Sequence, residues 1–472
     1  MAQGLPSPSH TCLWALCRAM IQGGPRTWHA QVAPTTGTHH FAPFHFQHRG
    51  IVTVLAPSRD VAKATYSPEV APEHRDILVR INKMLRSRAR FRLRMEWIWR
   101  REVGRRGALS FDDLPDFLAK VAEKLELPSS AFDNLEFVFM YDFTGDGALQ
   151  FKEAYTLIKD KLANYRKSIG GHPIIDVPQQ TPAEAGYKIV KVLAAGGQGT
   201  ANLATDKHNQ SKVLKVYLKG QANAVSLDDL REEMENMKRA QHPNIAVCHE
   251  IFQDANNLYM VSDPYMGGDL ESLQKRATEK KVELTEDWYR WIFYQAFTGL
   301  DYLHRSCVVH CDIKEPNLMV KAPSYVWPEI IIIDLGLAST LKPSRGACGT
   351  PGYMPPETWE YGAWFPRGDV FSMGVTCVQM LSNNIPVPSI GKPGIFQRAR
   401  NVQEVAYLTK TMEPPFEAMD PNSDELMEWL SPCLAKDYQQ RPKPAEVLEY
   451  PWFNDEESPG SCGRRLQASC CH

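Results

Sequence analysis

Val309-His310-Cys311-Asp312-Ile313-Lys314-Glu315-Pro316-Asn317 gathers three unlike polar groups on one short piece of chain. Asp312 supplies a carboxylate, Lys314 an ammonium two residues on, and Asn317 an amide three further on. A β-rich run from Glu329 to Ile333 then delivers a second carboxylate, Asp334, followed by Leu335-Gly336. Phosphoryl transfer needs this set: one carboxylate to orient an attacking hydroxyl, one cation on the moving phosphate, and two oxygen ligands for magnesium. Carboxylates alone would repel a nucleotide, so the lysine and the metal belong to the same requirement.

The ordered pair resembles the eukaryotic protein kinases, whose catalytic loop H-R-D-x-K-x-x-N is followed by D-F-G. The resemblance extends over residues 186–453 and implies a bilobal fold, with a β-rich N-lobe and a mainly helical C-lobe. It implies that Asp312 orients the substrate hydroxyl and accepts its proton, and that Lys314 stabilises the γ-phosphate, as in serine/threonine kinases. Asn317 and Asp334 would hold magnesium, and His310 would support the loop.

Upstream, Tyr187 to Leu193 alternates as a strand and runs into Ala194-Ala195-Gly196-Gly197-Gln198-Gly199-Thr200-Ala201. This is similar to the kinase glycine loop, with Gly196 and Gly199 in place. Small residues there let backbone N–H groups close over phosphates. Lys212 to Tyr217 alternates too, and resembles the strand that sets Lys215 on the α- and β-phosphates. The family spacing makes Glu233, on a helix expected over 227–240, the partner of Lys215. Leu193, Ala201, Asp263 and Met319 would complete the ATP-binding set. Ser262 would stand behind adenine, and Asp269 would reach the ribose.

Downstream, Thr285 to Arg305 has the apolar spacing of a long core helix that aims the catalytic loop. Cys348 to Glu357 is similar to the family's G-T-x-x-Y-x-A-P-E segment. It implies that Thr350 bonds near Asp312 and Lys314, that Glu357 pairs with Arg441, and that Asp369 anchors the catalytic-loop backbone. Three departures carry consequences. Cys311 replaces the arginine that meets an activation-loop phosphate, which argues against control of that kind. Glu315-Pro316 inverts the usual Pro-Glu, which argues against recognition of a basic residue upstream of the target. Leu335 replaces the Phe of D-F-G but can still pack beneath the helix bearing Glu233. Residues 383–422 are proline-rich and fit no expected element.

Ahead of this region, Asp142 to Glu153 has the outline of a calcium-binding EF-hand loop. Oxygen ligands would come from Asp142, Thr144 and Asp146, the carbonyl of Ala148, Gln150 and the bidentate Glu153, with Gly147 at the sharp turn. Only three ligands are charged, which predicts weak affinity. The competing reading is an acidic Asx turn between two core helices. Phe132, Leu135, Phe139 and Met140 predict a helix entering the loop; Ala154, Leu157, Ile158 and Leu162 predict one leaving it. Gly107-Ala108-Leu109-Ser110-Phe111 echoes Gly147-Ala148-Leu149-Gln150-Phe151. The earlier loop puts Gly104 and Arg106 at ligand positions, so it reads as a degenerate hand that pairs without binding, Leu109 facing Leu149. The arginine-rich stretch 86–106 reads as that hand's entering helix. The organisation expected is therefore multidomain α+β: a tail over 1–70, an all-α EF-hand pair over 75–165, a Gly/Pro-rich linker over 166–185, the kinase region, and a tail over 454–472. The whole resembles calcium-dependent protein kinases, except that in those the hands follow the catalytic domain.

Composition narrows the partners. A 472-residue chain with formal charge -2 has no footprint for nucleic acid or a membrane surface. No run approaches the ~20 apolar residues of a membrane span. Eleven cysteines without a C-x-x-C pair fit a reducing, cytoplasmic setting. Met1 to Ser58 contains no Asp or Glu. That suits a disordered tail or, alternatively, an organellar transit peptide. The expected partners are ATP with magnesium, calcium, and proteins bearing Ser or Thr. The competing class is a calcium-responsive pseudokinase scaffold.

Overall fold

The computed structural model describes residues 71–171, 177–196, 199–219, 237–238, 240–334, 349–387, 392–398 and 401–454. The two tails, Gly197, Gln198, Glu233, Leu335, Gly336 and Cys348 lie outside the described residues.

The N-terminal module begins with α1 (Pro72–Arg86) and α2 (Arg88–Glu102). Along α2, Phe91, Met95, Ile98 and Trp99 recur at helical spacing and are buried, while Trp97 and most arginines face outward. Two short strands, β1 (Ala108–Ser110) and β2 (Ala148–Gln150), pair antiparallel with Leu109 opposite Leu149. Each leads into a helix, α3 (Leu114–Leu125) and α4 (Phe151–Ser168). At the start of α4, Glu153 accepts the N–H of Gln150 at 2.7 Å, satisfying a donor the helix cannot.

The helix expected to enter the 142–153 loop is not formed. Ser129–Phe132 and Val138–Tyr141 are separate 3₁₀ turns. Asn134 and Phe137 between them take left-handed φ of 60° and 59°, which an α-helix cannot pass through. The apolar spacing is real, but it is served by two tight turns.

The N-lobe is an antiparallel five-stranded sheet in the order β3-β4-β5-β7-β6. Its strands are β3 (Lys188–Gly196), β4 (Gly199–Thr205), β5 (Ser211–Leu218), β6 (Cys248–Gln253) and β7 (Asn257–Ser262). Within the stretch read as a linker, α4 continues to Ser168, and residues 177–180 lie along β6. Gln180 N donates to Gln253 O at 2.7 Å, and Gln253 N to Pro178 O at 2.9 Å.

The C-lobe opens with β8 (Gly268–Asp269), α5 (Leu270–Glu279) and α6 (Glu286–Arg305). The Thr285 hydroxyl caps α6 by accepting Trp288 N–H at 3.3 Å. β9 (Leu318–Val320) and β10 (Ile330–Ile332) complete a three-stranded sheet with β8. Then come α7 (Pro356–Tyr361), α8 (Pro366–Leu381), α9 (Val402–Thr411), α10 (Asp424–Cys433) and α11 (Pro444–Val447). Nearly every residue of α8 is buried, Asp369, Ser372, Thr376 and Gln379 included, so this helix forms the pillar of the lobe. No helix among the described residues is long and apolar enough to cross a membrane.

Candidate active site

The turn after α6 is held from below by one buried carboxylate. Asp369, near the start of α8, accepts His310 N–H at 2.8 Å and Cys311 N–H at 2.9 Å. His304 Nε2 lies 3.0 Å from the same carboxylate, and Trp364 Nε1 donates to it at 3.1 Å. Asp369 is wholly buried, so these four partners stand in for water. Cys311 is thereby held at φ 63°, a left-handed conformation that the two N–H bonds stabilise.

His310 fixes the other side. Its Nε2 donates to Ile333 O at 2.9 Å, since a carbonyl only accepts, and its Nδ1 accepts Asp312 N–H at 3.2 Å. The ring therefore ties the loop to the chain leading into Asp334. Ile333 N donates to Asn317 O at 2.9 Å, which sets Asn317 and Asp334 on adjoining chains.

On this frame Asp312, Lys314, Asn317 and Thr350 converge. Lys314 Nζ is 2.8 Å from Asp312 Oδ2 and donates to Thr350 Oγ1 at 2.7 Å. The Thr350 hydroxyl donates to Asp312 Oδ1 at 2.6 Å. Asn317 Nδ2 donates to Asp312 O at 2.7 Å and to Oδ2 at 3.1 Å. Across the cleft, Lys215 on β5 forms an ion pair with Asp334. In the sheet Lys215 stands opposite Ala201 and Met260. Gly196 and Gly199 close the β3–β4 hairpin, and a side chain at Gly199 would run into the Val216 carbonyl.

Other expected site residues have further attachments. Asp263 accepts from Lys212 at 2.9 Å and lies 2.6 Å from His249 Nε2, so its side chain binds strands together. The Asp269 carboxylate caps α5 by accepting Ser272 N–H at 2.9 Å. Met319 pairs with Asp269 and Ile331 in the small sheet. Leu193, on β3, is well exposed. Glu357 and Arg441 form a buried bidentate pair at 2.7 and 2.8 Å.

Glu315 was missed as a structural centre. It is fully buried, accepting Tyr353 OH at 2.5 Å and Gln379 Nε2 at 2.9 Å. Burial pushes its carboxyl up to about 7. Such a group cannot meet a substrate side chain. The only signal in the sequence was its exchange of place with Pro316.

In the 142–153 loop, Asp142 accepts N–H groups of Asp146 at 3.2 Å and Gly147 at 2.9 Å. Asp146 accepts from Ala148 N at 3.0 Å and from Gln150 Nε2 at 2.7 Å. Thr144 Oγ1 donates to Asp142 at 3.2 Å, and Glu153 accepts Thr144 N–H at 2.7 Å. Among the described residues no three acidic, His or Cys side chains are drawn together as tightly as a bound metal would hold them. The donors are nevertheless all hard oxygens, as calcium requires. Glu153 is buried, and burial, reinforced by the charge of Asp142, pushes its carboxyl up. A cation beside it would relieve both effects.

Among known families, the protein kinase domain matches residues 187–453, more than half of the chain. Smooth-muscle myosin light chain kinase of Gallus gallus is 28% identical over 279 residues, 57% of this chain and 14% of that protein. Calcium-dependent protein kinase 6 of Plasmodium berghei (strain Anka) is 24% identical over 372 residues, 75% of this chain and 24% of that one. Serine/threonine-protein kinase TAO3 of Gallus gallus is 25% identical over 300 residues, 62% of this chain and 31% of the relative. The aligned parts thus span less than a third of each of these three proteins.

Proposed function

The chain belongs to the protein kinase domain family, and on that premise we propose that it transfers the γ-phosphoryl group of ATP to Ser or Thr hydroxyls of proteins. The observation that carries this reading is the convergence of Asp312, Lys314, Asn317 and Thr350 beside a Lys215–Asp334 pair. Asp312 orients the incoming hydroxyl and takes its proton. Lys314, held by Asp312 and Thr350, brings positive charge to the transferred group. Lys215 binds the α- and β-phosphates, and Glu233 is its proposed partner.

Asn317 uses its NH₂ on Asp312, which leaves its amide oxygen as a donor. With the Asp334 carboxylate it makes a hard-oxygen pair suited to magnesium. Magnesium bound there would neutralise phosphate charge. All other steps fall to side chains of the chain itself. Gly196, Gly199, Leu193, Ala201, Asp263, Asp269 and Met319 make the nucleotide pocket, His310 and Asp369 hold the catalytic loop, and the Glu357–Arg441 pair fixes the substrate shelf.

We further propose that Asp142, Thr144, Asp146, Ala148, Gln150 and Glu153 bind calcium and that calcium alters the transfer rate. The suited donor set supports this, as does similarity to a relative named a calcium-dependent kinase.

The test is transfer from magnesium-ATP to mixed Ser/Thr peptides, with and without calcium. Asp312→Asn should lower the rate by at least ~100-fold while nucleotide still binds. Equal rates for wild type and variant, or none in either, would favour a non-catalytic scaffold. Glu153→Gln should remove the calcium response and leave the calcium-free rate in place. A response that survives the change refutes the calcium half alone.

A further inference from the structure

The core of the N-terminal module does not end at the module. Its buried residues are continuous with Cys307, Val309, Cys311, Met354, Ala363, Trp364 and Phe365 of the C-lobe. Both parts belong to one compact unit. The contact is made by the 137–153 segment, which covers the rear of the candidate catalytic loop.

Four features define it. The Phe143 ring meets His304 edge-on, with centroids 6.3 Å apart. Phe139 stacks on Phe365 at 5.4 Å, and Phe365 stacks in turn on Tyr438 at 4.6 Å. Lys152 donates to the Arg305 carbonyl at the end of α6. The backbone at Gly145, at φ 63°, passes so close to Arg367 that a Cβ would lie 2.6 Å from its Nη2.

What lies beneath this contact matters most. His304, under Phe143, is bonded to Asp369, and Asp369 holds the N–H groups of His310 and Cys311. Trp364, in the same shared core, also donates to Asp369. Cys311 is buried in the same shared core.

We infer that the N-terminal module is a built-in clamp on the catalytic loop, and that Phe143 is a positioning residue acting through His304 and Asp369. The clamp deepens the proposed phosphotransfer, and its activity readout rests on that reading. The chain of contacts runs from Phe143 to the His304 ring, to the Asp369 carboxylate, to the backbone beside Asp312. Small misplacement of a reacting group costs up to ~100-fold in rate, so losing one support of Asp369 should register in turnover.

The test uses the full chain and the variants Phe143→Ala, Phe143→Leu and Phe139→Ala. Phe143→Ala should lower kcat about 10-fold with the KM for ATP changed less than about twofold. Phe143→Leu, which keeps apolar volume over His304, should recover most of the loss. Phe139 is partly exposed, so Phe139→Ala should fold in any case and show a smaller fall in the same direction. Hydrogen exchange supplies the second arm, independent of activity: the His310 and Cys311 amides should exchange ~10-fold faster in Phe143→Ala. Unchanged exchange and kcat in folded Phe143→Ala, or a fall in stability alone, would overturn the clamp. Should Phe143→Ala fail to fold, Phe139→Ala decides by the same two readouts. If the wild type transfers no phosphate, the functional reading fails and the exchange arm still decides the clamp.

Discussion

Glu315 is the residue whose chemistry is most altered by its surroundings. It lies on the turn between Lys314 and Asn317 without contact with water, with Tyr353 OH and Gln379 Nε2 as its hydrogen-bond donors. Burial outweighs these donors and the carboxyl is raised from 4.5 to about 7; the nearby charge of Glu271 adds slightly. A carboxyl raised on folding binds more protons in the native state than in the unfolded one. Its contribution is therefore fully present below about pH 4.5 and is lost as pH rises through about 7. Wild type should lose up to roughly 3 kcal/mol relative to Glu315→Gln between pH 5 and pH 8.5. Urea unfolding of both proteins at several pH values measures this, and a difference independent of pH would show that Glu315 does not titrate. Asp312, Lys314 and Asn317 can be read as one cluster because their spacing suits the chemistry, and Thr350 joins them through resemblance to the kinase G-T-x-x-Y-x-A-P-E segment. Burial of Glu315 had no such signature: a carboxylate beside a lysine and a proline ordinarily reads as solvated.

At the scale of elements, the Arg441–Glu357 pair joins α7 to the chain entering α11. Arg441 is 1% exposed, and it also donates from Nε to Ala435 O at 2.8 Å. Removing one member strands the other charge in the core, which costs about 3–5 kcal/mol. Arg441→Ala should thus lower the thermal midpoint by several degrees, and the double change with Glu357→Ala should cost less than the two losses added together. Additive losses in calorimetry would mean that the two side chains do not act as a pair. Strands β3 and β5 could be read from alternation, and helices α4, α6 and α8 from their apolar residues. The turns at 129–141 could not. Phe132, Leu135, Phe139 and Met140 keep helical spacing in the sequence, while Asn134 and Phe137 adopt left-handed backbone that propensity does not reveal. Residues 177–180 were equally hidden, because pairing along an edge strand needs only backbone groups.

At the scale of the whole molecule, the expected picture of an N-terminal module tethered to a separate enzyme gives way to a shared core. The reason it could not be foreseen is physical. The joining residues, Val309, Ala363, Trp364 and Phe365 on one side and Phe139 and Phe143 on the other, are ordinary apolar side chains with no motif to report their partner. The shared core has a consequence for cooperativity. Cys307 and Cys311 lie in it, whereas Cys377 and Cys433 lie in the C-lobe core. All four thiols are buried. Burial pushes the Cys307 thiol up to about 11, which further slows its reaction. If module and C-lobe unfold as one unit, brief thiol labelling at increasing urea should modify all four within about 0.3 M of one midpoint, within the error of a single transition. If the module peels away first, Cys307 and Cys311 will label at distinctly lower urea while Cys377 and Cys433 stay protected. Mass spectrometry of the labelled peptides separates the two cases. The first outcome would make the module part of the catalytic lobe's own stability, so that displacing Phe139 or Phe143 reaches the catalytic loop through packed side chains.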